Sequence, residues 1–472
     1  MKYVAHGANP EFEGNLFQQQ RDNIIGRARR IWRSWKKDAL LRRLLGNASM
    51  LLGGKAATAL FSLGYLALAA RGLSLEAFGT LILIHTYTQA VGDISKFQSW
   101  QALLTYGTPF WQTGRIRELQ QVLRFTVRLD IIGSMAALAI AMLGIPVAGH
   151  FFGWPPETAS CARYYVLSVI LLDVGTATGV MRLFDRFDLV APQSSLGALI
   201  RLAGAGIAYY LGAGLDAYLL VWGLAIVIPA LVLIAMSLRE LRRHGVLRAS
   251  SGTAQETSSL WSPDRKVWNF VWSTNFNTSL QLAFSHFGTL AVGAFLGAGA
   301  AALYRVARQL SEAITAPVKL LTPTIYPELA RLSANKAIRE MRRFMLRASL
   351  LAGLGASALV ALLIFAGPWV LTVIAGANFT AAYGVMVALG VAAALRLWAF
   401  PLEPMLISSG MAVQALRIRL AATLIYGALM FLLCPAYGLV GAGVALLLAS
   451  MVNLAGQLFV TEKLLRSRAP TA

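Results

Sequence analysis

The sequence predicts an all-α integral membrane protein with about twelve transmembrane helices, and three observations carry that reading. Of the 472 residues, 57% are hydrophobic and only 13% charged, a balance that belongs to membrane proteins and leaves no long polar region for a catalytic domain. Apolar runs long enough to cross a bilayer recur along the whole chain. The net charge of +21 is unevenly placed: 33 of the 42 Lys and Arg lie in alternate loops and the two tails, whereas the intervening loops hold only Arg71 and Arg163. Basic residues gather on the cytoplasmic side of membrane proteins, so the alternation puts both termini in the cytoplasm with an even number of spans between them. The basic excess then serves topology and anionic lipid head groups rather than nucleic acid.

Residues 1–42 read as a basic cytoplasmic arm without a secretory signal, since no apolar core follows the first basic residues. Within it Ile24, Ala28, Ile31, Trp32, Trp35 and Ala39 share one helical face opposite Arg27, Arg30, Arg33 and Lys37. That is the pattern of a helix lying on the inner surface, with a disordered basic tail as the alternative. The first half, 43–238, is expected to hold spans at 44–70, 77–104, 127–150, 161–182, 190–212 and 215–238. Lys55, Thr58, Ser62 and Tyr65 follow one face of the first span. Gln89, Asp93, Lys96 and Trp100 follow one face of the second, where a three-residue gap makes Asp93 and Lys96 neighbours. Asp173 and Arg201, inside the fourth and fifth spans, are expected to neutralise one another.

Residues 239–266, basic at first and then rich in Ser, Thr and Gly, read as a cytoplasmic linker. The pattern then restarts over 267–465, with spans at 267–297, 304–326, 345–366, 380–400, 413–434 and 438–462, and a tail at 466–472. Asn269, Ser273, Asn277 and Gln281 recur every four residues along the seventh span, and Arg396 is the main charged exception among the last four. The turn sequence YYLGAGLDAY (Tyr209–Tyr218) has a counterpart in PAYGLVGAG (Pro435–Gly443), and Pro146 has one in Pro368. Six spans per half give both halves one orientation, related by an axis along the membrane normal.

The eighth span carries the strongest chemical signal. Arg305, Arg308, Glu312, Thr315, Lys319, Thr322 and Tyr326 follow one another at three or four residues, so they share one face roughly 30 Å long. Val306, Leu310, Ile314, Leu321 and Ile325 form the apolar face opposite. A charged stripe at membrane depth must line a watered cavity or pair inside the bundle. A cytoplasmic amphipathic helix is the alternative, but Pro317 and Pro323 suit a kinked membrane helix better.

Other chemistries lack their residues. No GxxxxGK[ST] loop is present to cradle a nucleotide phosphate. His and Cys never come together at metal-ligand spacing, and His85 and His286, each alone on a span, read as hydrogen-bonded structural histidines. Cys161 and Cys434 read as buried free thiols. No nucleophile stands with a base, so the chain is not expected to be an enzyme or to carry a cofactor.

Five segments, taken in order, resemble a known family: AARGLSLEAFGTLIL (Ala69–Leu83), LGAGAAALYRVARQL (Leu296–Leu310), TPTIYPELARL (Thr322–Leu332), GANFTAAYGVMVAL (Gly376–Leu389) and YGLVGAGVALLLAS (Tyr437–Ser450). They look like the O-antigen and exopolysaccharide flippases of the multidrug/oligosaccharidyl-lipid/polysaccharide exporter superfamily. The resemblance covers nearly all of 43–465. It implies two six-helix bundles around a central cavity lined by spans one, two, seven and eight, and alternating access that moves lipid-linked sugar outward.

These readings converge on a substrate-binding cavity formed by Lys55, Asp93, Lys96, Asn277, Arg305, Arg308, Glu312 and Lys319. Its positive excess suits the pyrophosphate of a polyprenyl-linked oligosaccharide, and arginine's forked donors suit phosphate best. The expected partners are that lipid-linked oligosaccharide, membrane lipids and a polysaccharide polymerase or other assembly protein. The alternatives are a cation-coupled drug exporter of the same superfamily, which would want an acidic cavity, and a non-transporting scaffold for a polysaccharide synthase. The topology is testable by cysteine-accessibility labelling: cysteines placed in 239–266 or at residue 340 should resist an impermeant reagent applied outside, and labelling there would overturn the assignment.

Overall fold

Long apolar runs interrupted by Gly, Pro and charged turns produce helices joined by short connections. The computed structural model describes residues 39–172, 174–247, 265–313, 315, 329, 331–332 and 338–467, and among these there are no strands. In chain order come α1 (Ala39–Gly72), α2 (Leu75–Ser95), α3 (Ser99–Ala102), a π-helical turn (Leu103–Gly107) and α4 (Thr108–Gln112). Then follow α5 (Ile116–Phe152), α6 (Pro156–Val166), a 3-10 turn (Leu167–Leu171), α7 (Gly175–Leu183), α8 (Phe187–Tyr210) and α9 (Leu215–Arg243). Later in the chain come α10 (Arg265–Leu296), α11 (Ala298–Ala313), α12 (Ile338–Ala375), a 3-10 turn (Ala377–Ala382), α13 (Tyr383–Trp398), α14 (Leu402–Ser408) and α15 (Ala412–Ser467). Among the described residues six helical stretches are long and apolar enough to cross a membrane. The helices α2 and α11 are not in that set: the His, Thr, Gln and acidic residues of α2 lower its hydropathy, and the described part of α11 is only 16 residues long. The chain is an all-helical, multi-pass membrane protein.

Several of the expected spans coincide with helices, with altered limits. The second span is not one helix: α2 stops at Ser95, Lys96 takes an extended backbone (φ −75°, ψ 139°), and helix resumes at Ser99. The fourth span is broken as well, because the Asp130 carboxylate from α5 takes the Thr176 N–H at 2.8 Å and so starts a new helix there. The basic start of the expected linker is helical instead, since α9 runs on through Arg239 and Arg242 to Arg243, cations at a helix C-terminus being favourable. The turn expected in PAYGLVGAG sits at Gly438, whose φ of 60° and ψ of −143° bend α15 in a conformation open to glycine. The basic arm before residue 39, Asp173, and Lys319 with the rest of 316–328 lie outside the described residues, as do the side chains of Lys55 and Asn277.

In the first half α1 packs along α8, α8 along α9, and α2 against α5; in the second, α13 packs on α12, α11 and α15, and α10 on α11 and α15. The halves meet where α2 lies on α10 and α11. One continuous core runs through that junction, taking in Phe78, Leu81 and Ile84 from α2 with Val292, Ala301, Val306 and Leu389 from the second half. At the end remote from the basic loops the approach is very close. A Cβ on Gly79 would stand 1.8 Å from the Ala298 carbonyl oxygen, so only glycine lets the two backbones touch. Phe78 meets Phe379 edge-on at 5.9 Å, and Arg71 donates to the Val373 carbonyl. At the basic end Phe97 and Phe125 meet Trp272 and Trp268 edge-on at 5.6 and 5.7 Å.

Gly79→Ala should therefore destabilise the protein by about 1–3 kcal/mol through overpacking. Gly149→Ala, with nothing within 4 Å of the added carbon, should be neutral or slightly stabilising. Thermal unfolding in detergent reads both, and equal melting of Gly79→Ala and wild type would contradict the close approach.

Candidate functional site

The charged side chains gather on the seam between the halves, and each arrives by a local rule. The four-residue spacing on α11 brings Glu312 one turn beyond Arg308, and Arg308 Nε donates to Glu312 Oε1 at 2.8 Å. The same guanidinium reaches across to the Ser285 carbonyl of α10 through Nη1. On α2 the expected neighbours do pair: Lys96 Nζ lies 2.6 Å from Asp93 Oδ1. Its other oxygen meets His286 Nε2 of α10 at 2.8 Å. Asp93 is 7% exposed, so one buried carboxylate ties both sides of the seam together.

Tyr304 and Tyr426 were not assigned from sequence. Tyr304, on the buried face of α11, brings its hydroxyl to 3.4 Å from that of Tyr426 on α15. Gly288 makes room for both, since a Cβ there would lie 2.4 and 2.7 Å from the two phenol oxygens. Arg396 of α13 shares the electrostatic field of Glu312 and Arg308. Arg305 faces the first half, within electrostatic reach of Tyr65 and Arg201, and its guanidinium makes no hydrogen bond among the described residues. Arg201 lies 5.6 Å from the Tyr65 ring centroid and 5.2 Å from that of Trp222, so aromatic faces stabilise its charge. Its expected partner, Asp173, is outside the described residues.

The two histidines differ. His85 Nδ1 is 2.7 Å from the Tyr165 hydroxyl and packs edge-on to Trp222, a structural contact. His286 is hydrogen-bonded too, as expected, but to a partner from a helix far away in sequence. Cys434 is a buried free thiol, whereas Cys161 is only partly buried and donates to Asp216 Oδ1 at 3.1 Å.

Of the eight residues singled out in the sequence, Asp93, Lys96, Arg305, Arg308 and Glu312 thus lie along one junction. Lys55 and Asn277 sit on helices α1 and α10 with their side chains undescribed, and Lys319 lies beyond the described part of the stripe. Among the described residues no group of three or more His, Cys, Asp or Glu side chains is placed to hold a metal ion.

No family model matches the chain. It is 29% identical over 352 residues to a protein of Escherichia coli (strain K12) called Inner membrane protein YghQ, covering 74% of this chain and 97% of that one. The fold resembles a multidrug resistance MATE family transporter of the MOP superfamily in its inward-facing conformation, with a TM-score of 0.65 and 15% identity over 89% of this chain and 96% of that one. It is also similar to the lipid II flippase MurJ in an inward closed conformation, with a TM-score of 0.64 and 12% identity over 87% of each chain. The fold is therefore one shared by transporters and flippases, not an enzyme fold.

Removing the shared carboxylate tests the seam. Asp93→Ala should cost about 1–3 kcal/mol, because it removes the buried acceptor of Lys96 and His286, both of them only partly buried, and His286→Ala should cost less, since Lys96 still pairs with Asp93. Thermal unfolding of the purified protein measures both. Wild-type stability in Asp93→Ala would show that the carboxylate does not join the halves.

Proposed function

We propose that the protein flips a polyprenyl-pyrophosphate-linked oligosaccharide from the cytoplasmic to the opposite leaflet of a bacterial inner membrane by alternating access, driven by an ion gradient. The reading has twelve transmembrane helices in two bundles, 43–238 and 267–465. They are joined by a cytoplasmic linker at 239–266 and enclose a central cavity, with both termini cytoplasmic. One observation carries it: among the described residues cations outnumber acids along the seam. Lys96, Arg201, Arg305, Arg308 and Arg396 stand against Asp93 and Glu312, and both acids are already engaged by cations. Such a seam attracts an anionic head group. The lipid tail can stay in the bilayer while the charged head crosses, and forked Arg donors can follow a pyrophosphate from one oxygen to the next. The likeness to a lipid II flippase supports a lipid-linked cargo, and the relative's name supports the inner membrane.

The likeness to a multidrug transporter keeps the drug-exporter reading in view, but a cationic drug would have to displace Lys96 or Arg308 from its carboxylate. A scaffold for polysaccharide assembly would not need the charges at all. A polymerase or another assembly protein remains a partner in the proposed pathway.

Arg305, Arg308 and Lys319 changed singly to Ala should each cause lipid-linked oligosaccharide to accumulate on the cytoplasmic leaflet, with transport slowed about a hundredfold. Lysine at 305 or 308 should rescue only in part, since it keeps the charge and loses the fork. Glu312→Gln should do less harm than Arg308→Ala, because it leaves the seam more positive. Normal surface polysaccharide in the triple alanine variant, at wild-type protein level, would refute the anionic cargo, and altered drug tolerance instead would favour the exporter.

A further inference from the structure

The basic end of the first half carries a groove that the proposed cargo path does not use. α5 and α9 both pack on α7, and among the three lies a space of about 770 Å³, within the range of roughly 300–1,000 Å³ that small-molecule sites occupy. Its walls are mainly apolar. Val127, Ile131 and Met135 line it from α5, each one turn after the last and so on one face, and Ile234 and Leu238 line it from α9. Val127, Ile131, Met135 and Leu238 are also exposed, so among the described residues the groove opens sideways, toward the bilayer. Its inner end is closed by a local rule. Gly245 takes a φ of 70°, its N–H donates to the Arg242 carbonyl at 3.1 Å and the Val246 N–H to the Leu241 carbonyl at 3.0 Å, the paired bonds that turn a chain back at a helix C-terminus. Val246 is thereby folded into a cluster with Leu241 and Leu123, and Gln120 of α5 donates to its carbonyl.

At that closed end the charge is one-sided. Arg124 and Arg128 line the groove one turn apart on α5, the first exposed and the second half-buried. Arg242, also exposed, stands one turn beyond Leu238 on α9. Asp130 is the one acid among the described lining residues, and it is already engaged: it accepts the Thr176 N–H and is hydrogen-bonded by the side chains of Ser99 and Thr176. The other acids at this end of the two helices are paired as well, Glu118 with Arg115 and Glu240 with Arg186 and Arg243. A phosphate entering here meets two forked donors, whereas the amine of a zwitterionic lipid meets no acid that is not already bonded.

We propose that this groove binds an anionic glycerophospholipid of the cytoplasmic leaflet, its phosphate at Arg124 and Arg128 and an acyl chain laid along Ile131 and Met135. From Arg128 to Met135 the helix rises roughly 10 Å, so the chain runs from the charged mouth into the hydrocarbon depth. Basic pockets between membrane helices on the cytoplasmic side suit such head groups. The cargo lipid is a poorer fit, because the groove does not open into the seam. Asp130 and its bonds stand between them, and the space beyond, shared with Lys96, holds only about 10 Å³, the room of one water. The site is independent of what the protein transports.

Native mass spectrometry of the full-length protein in detergent, titrated with dioleoyl phosphatidylglycerol or dioleoyl phosphatidylcholine, tests this. The wild type should bind phosphatidylglycerol the more tightly. Arg124→Gln, at an exposed position where folding is not at stake, should weaken that binding about fivefold, and Arg124→Gln with Arg128→Gln about thirtyfold, with phosphatidylcholine binding unchanged. Arg342→Gln with Arg343→Gln, which removes two exposed cations from the basic end of the second half, should change neither. A phosphatidylglycerol carrying a diazirine in mid-chain should label residues 127–135 or 234–238 on illumination. Equal binding of the two lipids by the wild type, wild-type phosphatidylglycerol binding in both groove variants, an equal loss in the Arg342 and Arg343 variant, or labelling confined to other segments would overturn the proposal. Displacement of phosphatidylglycerol by an equal concentration of polyprenyl phosphate would give the groove to the cargo, and displacement by inorganic phosphate would leave only an anion site; either result would overturn it too.

Discussion

A charge inside a hydrocarbon slab must be paired, stacked or watered, and the seam is organised around that constraint. Asp93 is shared by Lys96 and His286, Arg308 is held by Glu312 and the Ser285 carbonyl, and Arg201 rests between the rings of Tyr65 and Trp222. Once those pairings are drawn, Arg305 and Arg396 remain as cations with no hydrogen bond among the described residues. Among the described residues the cations of the junction thus outnumber its acids, an arrangement that is costly for stability and that would suit the anionic cargo proposed above.

The two halves are held together by interactions of different kinds at different depths. Near Gly79 and Ala298 the contact is backbone against backbone with small side chains, which gains only dispersion energy and can part without stranding a charge. Deeper in, the Asp93–His286 link is polar, and water or an incoming anion can replace it. In the proposed cycle the first contact seals the seam against one side, and the second lets the cargo's own charge help to open it.

Much of this was legible in the sequence because it is local. The Arg308–Glu312 and Asp93–Lys96 pairs lie four and three residues apart, and the charged face of α11 follows from helical spacing alone. Partnerships between distant helices left no such trace: His286 finds Asp93 almost two hundred residues away, and Tyr304 finds Tyr426 on another helix. The breaks at Lys96 and Val174 left no trace either, and for the second the reason is that an apolar run gives no warning that a side chain on a neighbouring helix will capture one of its N–H groups. Asp130 itself offered a signal, a lone acid at the edge of the third span, but a charge so near the basic end reads as an ordinary loop residue until the partner at Thr176 is seen.

The account's central claim is that the seam's polarity selects an anionic lipid-linked cargo, and direct competition between cargoes tests it most plainly. Purified protein in proteoliposomes would be offered a fluorescent polyprenyl-pyrophosphoryl sugar and a fluorescent cationic amphiphile of similar size. The account predicts protein-dependent flipping of the pyrophosphate lipid, weakened by rising salt, and none of the cation. Protein-dependent transport of the cation, with the anionic lipid left in its original leaflet, would contradict it.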